Sequence, residues 1–263
     1  MSNITPVQKL KTVLKSDSVQ EQFQNALKEG SDLFVASLID IYASDNYLQK
    51  CQPQAVVMEA LKAATLKLPI NKNLGFAYIV PYGNEPQFQL GYKGYIQLAQ
   101  RTGKYRIINA DVVYEGELKR HDKVTGELDL SGDAKSDKII GYFAHIETIN
   151  GFKKTIYWTK EKVTTHAKKY SKSFNSKSSA WQGNFDEMAL KTMLRNLLSK
   201  YGIMSVEMMG AISHDAADES VEAMVGNEIN NKANQDFIDI EYTVDHQETG
   251  EFKQEAGQAG PGF

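Results

Sequence analysis

LGFAYIVPYGNEPQFQLGYKGYIQLAQRTGKYRIINADVVY, residues 74–114, changes its periodicity twice. GFAYIVPYG and PQFQLGY are short aromatic and β-branched runs on either side of Gly83-Asn84-Glu85, the turn chemistry of a hairpin, with Pro81 and Pro86 suited to an edge or to strand ends. From Gly91 the spacing becomes helical. Tyr92, Tyr95, Ile96 and Ala99 share one face, and Gly103 stops the run. Strand character returns over 105–114 and recurs at 139–149 and 152–158, with Asn150-Gly151 between the last two as a type I′ turn. Hairpins alternating with helices predict an α+β fold whose strands are largely antiparallel.

Upstream, Val19, Phe23, Ala26 and Leu27 form one helical stripe; Gly30 breaks it, and Phe34, Leu38, Ile41 and Tyr42 form another. Pro53 opens a further helix whose stripe Val57, Ala60, Leu61, Ala64 and Leu68 runs to Pro69. Downstream, 121–127 reads as a polar turn, 131–138 as a loop, 159–170 as a short basic helix and 171–180 as a Ser/Lys-rich loop. Asn184 with Glu187 three residues on is a capping-box pattern, starting a long helix that ends near Tyr201, before Gly202. Its buried set is Phe185, Met188, Ala189, Leu194, Leu197, Leu198 and Tyr201, which leaves Lys191 and Arg195 on a polar face.

With 263 residues, 41% hydrophobic and 24% charged, the chain can bury a core. Its net charge of −3 hides an opposition. Residues 1–206 hold 28 basic against 20 acidic side chains, whereas 207–263 hold 2 against 13. The division predicts a basic core over 1–206, suited to a polyanion, and an acidic, mostly disordered tail over 207–263 for regulation or partner docking. Within that tail a short helix is expected near 219–228, and Phe237, Ile238, Ile240 and Tyr242 form a small apolar patch. The absence of a long apolar run and of an apolar leader predicts a cytoplasmic protein away from membranes. A single cysteine, Cys51, excludes an internal disulfide, and five histidines without paired spacing argue against a metal site; no cofactor is expected.

No GxxxxGK[ST] loop is present, which argues against ATP-driven chemistry. Asp111, Glu117 and Lys119 imitate the carboxylate and lysine set of a Mg²⁺-dependent nuclease, the competing functional reading, although solvated strand-end charges explain them more simply. The cationic stripes are more specific. Lys93, Gln97, Gln100 and Arg101 form a helical row that Lys104 and Arg106 extend, and no acid falls between Gln87 and Ala110. Repeated long donors in one row suit a phosphate backbone. A second group, 153–177, includes Lys168, Lys169, Lys172 and Lys177 with Tyr170 and Phe174 interleaved, the composition of a single-strand binding surface. Trp181 is assigned to packing. Arg195, having Lys191 rather than a carboxylate four residues before it, is read as the freer cation of that pair.

The motifs LPINKNLGFAYIVPYGN, QLGYKGYIQLAQRTGKYRIINADVVYEGE, YSKSFNSKSSAW and NFDEMALKTMLRNLLSKYGIMS stand in an order that resembles the RecT family of phage and prophage single-strand annealing proteins, over about residues 20–206. The resemblance implies an α+β core related to phage annealing proteins. It also implies ATP-independent binding of single-stranded DNA, annealing to duplex, and a homo-oligomer on DNA. Expected partners are a RecE-type exonuclease and a host single-strand binding protein. Lys93, Arg101 and Lys191 fall where that family carries positive charge.

Overall fold

A computed structural model describes residues 4–171, 173–176 and 179–215. Four helices come first: α1 (Pro6–Leu14), α2 (Asp17–Leu27), α3 (Ser31–Ser44) and α4 (Pro53–Thr65). Helix α1 starts at a capping box, with the Thr5 hydroxyl accepting from Gln8 N and the Gln8 side chain accepting from Thr5 N. Helix α4 packs against α1, α2 and the hairpin that follows, so Val56, Val57, Ala60, Ala63 and Ala64 are all buried. Its stripe is shorter than the sequence suggests. The helix ends at Thr65 because Lys67 turns left-handed (φ 51°), with Lys67 N donating to Ala64 O and Leu68 N to Ala63 O, the paired bonds of a Schellman ending usually built on glycine. Cys51 is buried between α3 and α4 in sequence, and burial pushes its thiol pKa up.

The hairpin pairs β1 (Ala77–Tyr82) with β2 (Glu85–Leu90), Pro81 opposite Pro86, around a turn in which Gly83 takes φ 63°. Helix α5 (Tyr92–Arg101) follows, then β3 (Tyr105–Tyr114), the small hairpin β4 (Arg120–His121) and β5 (Leu128–Asp129), β6 (Ile139–Thr148) and β7 (Lys153–Thr159). Strands β3, β6 and β7 form an antiparallel sheet with β6 in the middle. The β6–β7 turn differs from the expected type I′. Gly151 N donates to Thr148 O (3.0 Å), and of this loop only Gly151 has positive φ (87°), giving a turn over Ile149-Asn150 closed by a glycine bulge.

Helices α6 (Lys160–Tyr170), α7 (Ala180–Gly183), α8 (Phe185–Tyr201) and α9 (Val206–His214) complete the described chain. Tyr142, Ala144 and Ile146 of β6 are buried on the side that α8 covers, and the Tyr142 hydroxyl donates to Asp186 of α8. Burial and then that carboxylate push the Tyr142 pKa up. Asn184 does not cap α8 with its side chain, because α7 precedes it directly and the cap with an accepting hydroxyl is Ser179, bonded to Trp181 N. Tyr201 is 42% exposed, not buried, while every residue from Lys191 to Leu198 is buried.

Helix α9, capped by Ser205, lies past the expected division at 206 and buries Met208, Ala211 and Ile212 in the same core. The expectations for Lys172, Lys177, a helix near 219–228 and the patch from Phe237 to Tyr242 lie outside the described residues. Among the described residues, no helix is long and apolar enough to cross a membrane.

Two glycines set the seat of α5. A Cβ on Gly91 would stand 2.1 Å from Gly75 O, and one on Gly94 would stand 2.2 Å from Phe76 O. In an open helix, Gly→Ala gains about 1 kcal/mol. Here Gly94→Ala forces backbone apart and should instead cost about 1–3 kcal/mol, lowering the thermal midpoint by several degrees in a circular dichroism melt. A raised midpoint would contradict this seating.

Candidate nucleic-acid interface

Helix α5 turns Tyr95, Leu98 and Ala99 inward, and the row proposed from spacing divides on the surface. Lys93 and Gln100 are exposed and Gln97 is half-buried. Arg101 is exposed but engaged: its guanidinium donates to Leu66 O (2.5 Å) and Lys67 O (2.9 Å). It therefore satisfies carbonyls at the end of α4, where a cation also complements the helix dipole. Lys104 is exposed beside the β6–β7 turn, its carbonyl accepting from Ile149 N. Arg106 reaches Glu147 (3.2 Å), which also binds Lys153 (3.0 Å). The hydrogen bond from Lys153 holds the Glu147 carboxyl below its ordinary range, so this pairing stabilises the fold above the ordinary carboxylate pKa and is lost as pH falls through the lowered one.

Around α6 the second basic group forms an aromatic ladder. The ring of His166 lies 5.1 Å from Trp158 and 4.7 Å from Tyr170; Lys162 sits 4.5 Å over Trp158, and Lys169 sits 5.0 Å over Tyr170. Lys168 and Lys169 are exposed in the last turn of α6, where a cation is also favoured by the helix dipole. Partial burial lowers the Lys162 pKa, and the charges of Lys123 and Lys200 lower it further. Lys123 of the β4–β5 loop and Lys200 of α8 are thus near enough for Lys162 to feel their charge. Lys154 of β7 adds a fourth nearby element, 5.2 Å over the ring of Tyr201. Sequence reasoning missed Lys123 and Lys200, which stand 77 positions apart and share no periodic stripe. A cleft of about 460 Å³ adjoins the β4–β5 hairpin, lined by Leu128, Leu130, Phe143, His145, Lys153 and Lys154 among others. Trp181 is buried, edge-on to Phe185 at 5.4 Å, in agreement with its packing role, whereas Phe174, read as part of the binding surface, is buried against Trp181 (5.9 Å) and not offered to bases.

Lys191 and Arg195 require a correction. Neither lies on a solvated face: they are 5% and 2% exposed, and Asp215, 2% exposed, stands between them. Lys191 Nζ is 3.0 Å from Asp215 Oδ1, and Arg195 donates to Asp215 O at 3.2 Å with Oδ2 3.7 Å away. The Tyr95 hydroxyl donates to Oδ2 (2.8 Å), and Leu90 N approaches Oδ1 (3.4 Å). Glu187, four residues before Lys191 and of opposite charge, is exposed instead. The side of α8 that carries them, with Thr192 and Asn196, is polar in sequence yet buried, and no local pattern announces a partner that lies outside the helix.

The residues of the nuclease set are engaged locally or exposed. Asp111 accepts from its neighbour Val112 N, Glu117 closes a turn by accepting from Tyr114 N, and Lys119 is exposed. Among the described residues, no three His, Cys, Asp or Glu side chains are grouped to hold a metal ion.

Residues 32–229 match the sequence profile of the RecT family. An uncharacterized protein of Bacillus subtilis (strain 168), YqaK, is 47% identical over 234 residues, covering 88% of this chain and 79% of its own length. Protein RecT of Escherichia coli (strain K12) is 28% identical over 183 residues, 64% of this chain and 65% of that protein.

Replacing Asp215 with alanine leaves two cations buried against one another without their carboxylate. Such a change costs about 3–5 kcal/mol, so Asp215→Ala should lower the urea midpoint far more than Glu147→Ala, whose cations are both more than half exposed. Equal midpoints in parallel urea titrations would refute the ranking.

Proposed function

The chain belongs to the RecT family, and on that premise we propose that it binds single-stranded DNA and anneals complementary strands without ATP. The observation that carries the reading is the Trp158–His166–Tyr170 ladder with Lys162 4.5 Å over Trp158 and Lys169 5.0 Å over Tyr170. Lysines from separate elements can follow successive phosphates, and rings at their side can accept bases without reading sequence. Lys93, Gln97, Gln100 and Lys104 continue the surface as phosphate contacts. Arg101 and Arg106 contribute positive potential while tied to Lys67 O and Glu147.

The chemistry needs no catalytic group. Phosphate contacts displace condensed counterions and neutralise the repulsion between strands, so two single strands can be held close with base edges accessible. Each matched step then contributes about 1.4 kcal/mol of stacking. A complementary stretch quickly outweighs the protein's own contacts, whereas a mismatched encounter dissociates. Work of this kind on long strands is suited to a homo-oligomer tracking the backbone, with a RecE-type exonuclease supplying the single strand and a host single-strand binding protein as a further partner. Residues beyond Asp215 hold eleven acidic against two basic side chains; their role in this reading is to dock those partners.

Two labelled complementary oligonucleotides mixed with the protein should lose fluorescence by quenching faster than they do alone, without nucleotide or hydrolysis. No acceleration, with DNA binding confirmed, would overturn the proposal; Mg²⁺-dependent shortening of the strands that Glu117→Ala abolishes would favour the nuclease instead. Lys93→Ala, Lys123→Ala, Lys162→Ala and Lys200→Ala should each reduce the salt slope of binding by about 0.7. Arg101→Ala should act mainly on the thermal midpoint, because it uncaps α4.

A further inference from the structure

The donors around Asp215 are of one kind and come from one place. An ammonium on α8, a phenol on α5 and a backbone amide at the end of β2 point at a single carboxylate, and a guanidinium on α8 donates to the same residue's carbonyl with the carboxylate 3.7 Å away. All four belong to the framework of the fold. Only the acceptor belongs to the terminal segment, and it follows a nine-residue helix seated by the small set Met208, Ala211 and Ile212, with Val206 and Met209 exposed on its outer side. An ammonium, a guanidinium, a hydroxyl and an amide are also the group that recognises a phosphodiester, whose two non-bridging oxygens share one negative charge as a carboxylate's do and accept the same charge-assisted bonds.

The site stands next to the surface already assigned to DNA. Glu187, one helical turn before Lys191, is exposed and close enough to Tyr78 to raise its pKa after burial has done so, and Tyr92 acts in the same direction. Lys93 borders the same place: its side chain is what a Cβ on Gly75 would meet, together with the Tyr78 hydroxyl. One helical turn along α8 therefore separates the buried cations from the exposed α5 row.

Resting on the DNA-binding reading, we propose that Lys191, Arg195, Tyr95 and Leu90 N form a site for a phosphodiester of single-stranded DNA, and that Asp215 occupies it in the free protein as an internal substitute. Helix α9 is then a latch: strand binding withdraws residues 206–215 and exchanges the carboxylate for a backbone phosphate. The withdrawn helix also carries its apolar inner face, Met208, Ala211 and Ile212, into the open.

The test uses the full chain and a labelled oligothymidylate in salt titrations of fluorescence anisotropy. Asp215→Asn keeps the shape of the side chain and removes its charge. It should tighten binding about fivefold at 0.1 M salt, because the entering phosphate no longer has to displace a charged carboxylate, and leave the salt slope unchanged, since the same number of phosphates is neutralised. Inorganic phosphate, without DNA, should raise the thermal midpoint of Asp215→Asn relative to chloride at equal ionic strength and leave the unmodified protein unchanged. A lowered midpoint with unchanged affinity would make Asp215 a structural anchor only and overturn the latch. If the variant does not fold, hydrogen exchange of the unmodified protein decides: saturating oligothymidylate should deprotect the amides of residues 206–215, and unchanged or increased protection there would overturn the proposal. Failure of the unmodified protein to bind the oligonucleotide would remove the DNA-binding reading and the latch together, whereas binding with a static α9 removes the latch alone.

Discussion

Two cations buried one helical turn apart must be given an anion, and Asp215 provides it. Taking an ammonium or a guanidinium out of water costs several kcal/mol, and one carboxylate offsets this only where the geometry is close and its remaining lone pairs are occupied. Tyr95 and the Leu90 amide supply that occupancy. The cluster thereby joins β2, α5, α8 and the end of α9 through charge-assisted bonds, which are more directional than apolar contact. Around it, Tyr95, Leu98, Met193, Leu194, Leu197 and Met208 exclude water, and this exclusion is what makes the cluster both strong when complete and costly when broken.

The same region depends on close backbone approach. Helix α5 can bring Tyr95 to Asp215 only because Gly91 and Gly94 let its first turn sit against Gly75 and Phe76. Phe76 O accepts from Gly91 N at 2.8 Å, fixing the direction in which the helix leaves the hairpin. At its other end, Arg101 fastens α5 to the end of α4. One helix thus links the N-terminal helices, the hairpin and the buried ion cluster, while its outer side presents Lys93 and Gln100 to solvent.

Much of this was legible in the sequence where the information is local. Strands at 105–114 and 139–148 announce themselves by alternation, and α8 ends at Tyr201 before Gly202 as its spacing indicates. Local reasoning fails where the deciding atom is remote. Lys191 and Arg195 look solvated because nothing acidic lies at the right helical spacing except Glu187, while their partner arrives 24 and 20 residues later. Lys123 and Lys200 carry no mutual pattern, and their charge reaches Lys162 from a loop and a helix far away in sequence. Lys67 in the left-handed region ends α4 before Pro69, against the preference for glycine there. Arg101 was identified as a surface cation, which it is, but its two carbonyl acceptors belong to a helix 34 and 35 residues away.

The position of Asp215 in the chain also orders events in time. Its partners Leu90 and Tyr95 lie 125 and 120 residues earlier, so the cluster closes one of the longest loops in the described chain. Closing such a loop costs entropy before any contact is gained, and contacts of long sequence separation slow folding. A chain emerging during synthesis presents the hairpin, α5 and α8 before the carboxylate exists. Until it does, Lys191 and Arg195 keep their hydration, and the middle of α8 cannot be enclosed. A nascent chain halted before Asp215 therefore holds α8 with two cations still in water.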